Sequence, residues 1–97
     1  QWKEALMCFR RVMDEYPESE IHGSYSHSEQ GMTASKCRYG AIHCLYKLGE
    51  RSEAQDLLEV LEQDESSGVN IEGVFVSYAQ LAKRLVHAHS DSSTPSK

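Results

Sequence analysis

Long apolar runs and prolines are both scarce in this sequence. The two prolines, Pro17 and Pro95, lie outside every stretch in which apolar residues have helical spacing. No apolar run approaches the roughly 20 residues that a membrane-spanning helix needs. No segment has the basic start, apolar middle and small-residue cleavage site of a signal peptide. We therefore expect no membrane partner, and 97 residues fit a single small domain.

Basic side chains are in the minority, with 10 against 15 acidic ones, so the net charge is -5. Phosphate neutralisation needs a basic surface, and this balance argues against a nucleic-acid partner. The three cysteines are odd in number and lack the tight spacing of a disulfide scaffold. Because free cysteines in helices behave as small buried apolar residues, we expect a reducing, intracellular and cytoplasmic setting.

Sequence motifs for catalysis and metal binding are also lacking. The chain has no glycine-rich phosphate loop, no nucleophile elbow and no histidine–glutamate metalloprotease motif. Cys37 and Cys44 are two helical turns apart, about 10 Å, which is too far for one zinc ion. His43 and Cys44 are adjacent, so they point in different directions on a helix. We therefore expect no metal, no cofactor and no enzymatic activity.

Apolar residues recur at helical spacing in four segments, and no stretch shows sustained strand alternation. The first segment ends before Pro17, since a residue that precedes proline is pushed out of the helical region. Residues with the position of a helix cap or stop are Ser26 with Glu29, Gly49, Ser52 with Gln55, and Asn70. The expected helices cover residues 2–16, 27–48, 52–64 and 70–89. The polar tail, residues 90–97, is expected to be disordered.

These segments predict an all-α domain over residues 1–89, built from antiparallel helical hairpins. Two of the segments are related to each other. Aligning EALMCFRRV with EAQDLLEVL places Ala5 on Ala54 and Phe9 on Leu58, 49 positions apart. A small residue lets two helices approach closely, and a larger one fills the gap between them.

The spacing of Ala5, Phe9 and Pro17 is that of the second helix of a tetratricopeptide repeat, and Gly49 and Ala54 match the family's turn glycine and small packing position. Over residues 1–86 the chain thus resembles the tetratricopeptide-repeat (TPR) family in a degenerate, partial form. The places of the family's first-helix signature are taken by Arg38, Ala41, Ile42 and Leu45. The resemblance implies a TPR-like α-α superhelix fragment of about four helices.

In the TPR family, the first helix of each unit lines a concave, ligand-binding surface. The resemblance therefore implies a binding face for a peptide or partner on helix two, formed by Lys36, Tyr39, Gly40, His43, Tyr46 and Lys47. The spacing of Tyr39, His43 and Tyr46 is i, i+4, i+7, which places them along one helix face. Aromatic and imidazole groups beside two lysines suit a peptide with some acidic character. In the alternative interpretation, the two tyrosines pack against helix one or helix four.

A stripe of acidic residues runs along one face of the predicted third helix. Its members, spaced i, i+3, are Glu53, Asp56, Glu59 and Glu62. Like charges at this spacing mildly destabilise a helix. The stripe is interpreted either as a solvated outer face or as a surface for a basic partner.

The hypothesis that follows is a non-catalytic protein–protein interaction scaffold, which binds a peptide segment or partner helix in a helical groove. An alternative is an internal structural segment of a longer helical solenoid, or a module that associates with itself. The chain begins at Gln1 rather than methionine, so flanking repeats of a parent chain are among the expected partners. A further alternative is an accessory domain of an enzyme.

Overall fold

The structure is a computed structural model that describes residues 1–20 and 29–92. Its elements in chain order are α1 (Trp2–Glu15), β1 (Glu29–Gln30), α2 (Thr33–Leu48), α3 (Arg51–Leu61), β2 (Gly68–Ile71), β3 (Val74–Ser77) and α4 (Tyr78–Ser92). The prediction of an all-α fold is wrong, because these residues also form a three-stranded antiparallel sheet with the order β1-β2-β3. The fold is mixed α and β.

The segment predicted to begin the fourth helix, from residue 70, is instead a β-hairpin. Its cross-strand pairs are Gly68 with Ser77, Val69 with Val76, Asn70 with Phe75 and Ile71 with Val74. Most of these residues are β-branched or aromatic, types that favour strands. The connecting residues Glu72 and Gly73 have φ values of 52° and 84°, and positive φ at both central residues suits a tight hairpin turn. Asn70 therefore lies inside β2 and caps no helix.

Helix α4 begins only after this hairpin. The Ser77 Oγ accepts a hydrogen bond from the backbone N–H of Gln80 at 3.1 Å, which is the arrangement of an N-cap. The helix then continues to Ser92, past the predicted start of the disordered tail at residue 90. Residues 93–97 of that tail lie outside the described residues.

The second and third helices also begin differently from the predictions. Helix α2 starts at Thr33 rather than near residue 27, because Glu29 and Gln30 form β1 and pair with β2. Ser26, half of the candidate capping box, lies outside the described residues. Gly49 ends α2 with a φ of 84°, so the predicted left-handed stop is confirmed. Helix α3 begins at Arg51, one residue before the predicted cap.

Helix α2 lies at the centre of the core and packs against α1, α3 and α4. The core residues without any exposed surface include Ala41, Ile42, Leu45, Ala54, Leu61 and Ala82. Trp2 of α1 lies beside His43, whereas Phe9 lies against Gly40, so α1 runs antiparallel to α2. Each fully buried leucine or isoleucine side chain stabilises the fold by about 1.5–3 kcal/mol.

A partly buried polar cluster attaches the connection between α3 and β2 to the start of α2. The carboxylate of Asp64 accepts hydrogen bonds from Ser35 Oγ at 2.5 Å, from Ser67 Oγ, and from the Ser66 N–H and Oγ at 3.0 and 2.9 Å. Ser67 Oγ in turn accepts from the Met32 N–H at 2.7 Å. Burial alone would raise the pKa of Asp64, but these hydrogen bonds outweigh it and lower the pKa to about 2. The cluster fixes where the sheet meets α2.

Candidate functional site

An apolar groove lies where α1, β1, α2, β2 and α4 meet. It encloses about 350 Å³ and is lined by Phe9, Glu29, Lys36, Tyr39, Gly40, Val69, Tyr78 and Leu81. Six of these eight residues present apolar surface, and the two charged ones lie on β1 and at the start of α2. A concave, mainly apolar site with few polar groups is the usual form of a binding site.

The walls of the groove are held by close ring packing. The rings of Tyr39 and Tyr78 stack with centroids 6.0 Å apart and planes 25° apart. Phe9 lies so close to α2 that a Cβ added at Gly40 would be 2.6 Å from its Cζ. Contacts under 3.0 Å are not tolerated in a packed interior. Glycine at position 40 is therefore what admits the Phe9 ring and sets the distance between α1 and α2.

One rim of the groove carries an ion pair. Lys36 Nζ donates to both carboxylate oxygens of Glu29, at 2.5 and 2.8 Å. About half of the Lys36 side chain is exposed, and an exposed pair of this kind contributes about 0–1 kcal/mol to stability. The pair thus places a positive and a negative charge at the rim, and it is weak enough to separate when the groove is entered.

Tyr78, which lines the groove, carries a buried hydroxyl. The residue is only 3% exposed, and its hydroxyl oxygen has no hydrogen-bond partner among the described residues. Burial raises the pKa of Tyr78 to about 12, with smaller contributions from Glu29 and Cys37. Buried polar groups in folded proteins are nearly always paired, so an unpaired one at a groove requires an explanation.

The six residues of the predicted binding face are divided between three places. Lys36, Tyr39 and Gly40 line the groove. His43 and Lys47 lie beside Trp2, with a ring-centroid distance of 5.1 Å for His43 and a distance of 5.8 Å from Lys47 Nζ to the Trp2 ring. The predicted face is therefore partly covered by α1 and is not one open surface.

Tyr46, the last member of that face, is directed towards the start of α3. The Arg51 guanidinium lies 6.0 Å from the centre of its ring, within the range of a weak cation–π contact. The alternative in which the tyrosines pack against other helices fits Tyr39, which lies partly buried against the core and stacks on Tyr78 of α4.

The groove residues outside helix two could not be located from the sequence. Their positions depend on the fold of the hairpin and on the start of α4; they are Phe9, Glu29, Val69, Tyr78 and Leu81. Alternation along the hairpin also places Ile71 and Val74 on the same face as Val69. Ile71 is 43% exposed and Val74 is 63% exposed. The apolar surface therefore extends from the groove along the hairpin.

The acidic stripe on α3 is partly neutralised within the chain. Arg10 of α1 forms an ion pair with Glu53, and Lys83 of α4 pairs with Glu62 at 3.0 Å. Two of the four stripe residues thus have basic partners inside the molecule. These contacts favour the outer-face interpretation over a surface for a basic partner.

The described residues contain few other features that point to a function. The cysteines are all free, with Cys8 exposed and Cys37 and Cys44 buried. In the described ranges, no group of three or more histidine, cysteine, aspartate or glutamate residues is placed to hold a metal ion. None of the helices, as far as they are described, has the length and apolar character to cross a bilayer. Comparisons with protein-family models, with curated proteins and with solved structures find no match.

Proposed function

We propose that this chain is a non-catalytic protein-interaction module that binds a peptide segment or a partner helix in the apolar groove. The observation that carries the proposal is the groove itself, about 350 Å³ with mainly apolar walls. Its apolar surface continues along the hairpin to the exposed Ile71 and Val74. Contiguous exposed apolar surface beside a polar surround is typical of interaction sites.

The size and shape of the groove suit the anchor residues of a peptide. A space of this volume admits one or two large side chains, and the hairpin face beside it offers a further apolar contact. Amphipathic helices bind in this way, with anchors at positions i, i+3 or i+4 placed in a hydrophobic groove. The stacked rings of Tyr39 and Tyr78 and the packed Phe9 make the walls preformed, which reduces the entropy lost on binding.

The chemistry of the lining supports binding rather than catalysis. Among the described residues of the lining, Glu29 is the one carboxylate and is paired with Lys36. None of these residues is a cysteine, a serine or a histidine. General acid–base or nucleophilic catalysis needs a titratable group beside a reacting atom, often with a second group that activates it. The proposal depends on this groove and uses only Lys36, Tyr39 and Gly40 of the face implied by the TPR resemblance.

A peptide-selection experiment tests the proposal. A display library of random linear and helical peptides is selected on the wild-type chain, and enriched peptides are measured against Leu81→Gln, which adds a polar group to the groove wall. We expect binding to weaken at least about tenfold, because the loss of apolar contact and an added polar desolvation together exceed about 1.4 kcal/mol.

The matched control is Val60→Gln, which replaces an exposed apolar residue of α3 away from the groove. Affinity for the selected peptides should be unchanged in this variant, and circular dichroism should show that both variants are folded. Peptides that bind the Leu81→Gln variant as well as they bind the wild type would place the binding surface elsewhere.

A second candidate function, self-association, is favoured by the outer face of α1. Met7 is 67% exposed there and lies beside the exposed Cys8. If this face packs against a second copy of the chain, sedimentation velocity should show an average mass that rises with protein concentration. The rise should be abolished in Met7→Gln. A mass that stays at the monomer value over the concentration range would exclude this candidate.

A further inference from the structure

We propose that the Tyr78 hydroxyl recognises a carbonyl oxygen of the occupant, so that the groove selects a peptide segment with a neutral carbonyl acceptor beside its apolar anchor. The inference rests on the proposed function and specifies its partner. It follows from one juxtaposition. A residue that lines a mainly apolar groove carries a buried hydroxyl with no hydrogen-bond partner in the described part of the chain.

The hydroxyl does not contribute to the stability of the free fold through any contact of the described residues. Its oxygen is buried and has no hydrogen-bond partner among the described residues. The ring of Tyr78 already supplies the apolar contacts, by stacking on Tyr39 and packing into the core. Phenylalanine at this position would keep those contacts without burying an unpaired polar group, which is unfavourable in an apolar environment. A role in recognition accounts for the hydroxyl.

The surroundings of the hydroxyl determine the chemistry of its partner. Since burial, followed by Glu29 and Cys37, raises the pKa of Tyr78 to about 12, the phenol stays protonated at neutral pH and has a hydrogen to donate. The nearby Glu29 carboxylate would repel an anionic acceptor. A neutral carbonyl satisfies both conditions, either from the backbone or from an asparagine or glutamine side chain.

The rim of the groove formed by the Glu29–Lys36 ion pair gives an occupant access to the hydroxyl. Glu29, whose charge acts on Tyr78, is held by Lys36, a long side chain that is about half exposed. Because exposed ion pairs of this type are weak, an entering peptide can displace the lysine at little loss. The occupant thus reaches the hydroxyl from the side of β1.

Two small isosteric probes test the inference directly. Acetophenone carries a carbonyl oxygen beside an apolar ring, and α-methylstyrene has a methylene group in its place. Both are titrated against the wild type, Tyr78→Phe and the control Tyr16→Phe, with amide chemical shifts of the groove residues as the readout. Comparing the ratio of the two affinities between proteins cancels the difference in the hydration of the probes.

We expect Tyr78→Phe to lower the preference for acetophenone by about three- to tenfold, the range for one neutral hydrogen bond. Tyr16→Phe, which removes an exposed hydroxyl away from the groove, should leave the preference unchanged. An equal preference in wild type and Tyr78→Phe, with both probes bound in the groove, would overturn the inference and leave the proposed function intact. If neither probe shifts the groove resonances and no selected peptide binds there, the inference and the proposed function both fail.

The stability of Tyr78→Phe provides an independent measurement. Denaturant unfolding should show a midpoint equal to or above that of the wild type, because the substitution removes an unpaired buried group. A clearly lower midpoint would mean that the hydroxyl has a partner in the free fold, and that result also overturns the inference.

Discussion

Replacing Asp64 with alanine is expected to lower the free energy of unfolding by about 3 kcal/mol. The carboxylate accepts hydrogen bonds from the buried hydroxyls of Ser35 and Ser67 and from Ser66. Without it, two hydroxyls that water does not reach lose their acceptor, and each such loss costs about 1–3 kcal/mol. Denaturant unfolding followed by circular dichroism measures the change.

The matched control is Asp56→Ala, which removes an exposed carboxylate from α3. Its effect should lie within about 0.5 kcal/mol of zero. If Asp64→Ala and Asp56→Ala are equally mild, the polar cluster does not attach the sheet to α2 in the way described. Because Val69 of β2 lines the groove, a loosened sheet should also weaken the binding of groove-selected peptides.

The same carboxylate makes stability depend on pH. The folded pKa of Asp64 is about 2, lowered from an ordinary value of 3.8, since hydrogen bonds to the charged form outweigh the effect of burial. A group whose folded pKa is lowered stabilises the protein above its unfolded pKa and loses that contribution as the pH falls through the folded pKa. The difference in stability between wild type and Asp64→Ala should therefore be constant at neutral pH and shrink between about pH 4 and about pH 2.

Substituting valine for Gly40 is the second large expected effect, a loss of about 2–3 kcal/mol in the free energy of unfolding. Three carbon atoms of the Phe9 ring lie between 2.6 and 2.9 Å from the position of a Cβ at residue 40. Either the ring leaves its place or α1 moves away from α2, and both changes disturb the packing of the groove wall. Chemical denaturation measures the loss, and the binding of selected peptides should weaken with it.

A double substitution separates this contact from the intrinsic effect of valine in a helix. In a Phe9→Ala background the ring is gone, so Gly40→Val should cost less than about 0.5 kcal/mol there. A penalty of the same size in both backgrounds would show that the Phe9–Gly40 contact is not its source. Double-mutant analysis is suited to this pair because the two residues touch.

The predicted face on α2 shows how far sequence reasoning reaches in this chain. Tyr39, His43 and Tyr46 lie on α2 as the spacing indicates, but spacing within one helix carries no information about which neighbour covers it. The position of α1 decides the outcome: Trp2 lies against His43, and Phe9 fills the space above Gly40. The end of the predicted face on α2 that lies next to the sheet is left uncovered by α1.

The hairpin is the main feature for which the hydrophobic periodicity of the sequence gives a wrong prediction. Apolar residues at positions 71, 74, 75 and 78 fit a helical stripe, yet the first three lie on two short strands and Tyr78 begins α4. Four-residue strands are too short for alternation to be distinctive. The φ of 52° at Glu72 shows that the turn has a geometry typical of glycine and asparagine, so the residue at that position gives no signal in the sequence.

Local interactions explain what the sequence by itself determined. Some features depend on residues that lie within a few positions of one another, and these can be predicted from the sequence alone. They are the amphipathic spacing of α1, α2 and α3, the stop at Gly49 and the small packing residue Ala54. The sheet, the Asp64 cluster and the groove were decided only by the tertiary structure. Their partners lie far apart in sequence, as with Glu29 and Val69 or Ser35 and Asp64. The hydroxyl of Tyr78 has a functional interpretation only because folding buries it, on a residue of the groove lining, with no partner among residues 1–20 and 29–92.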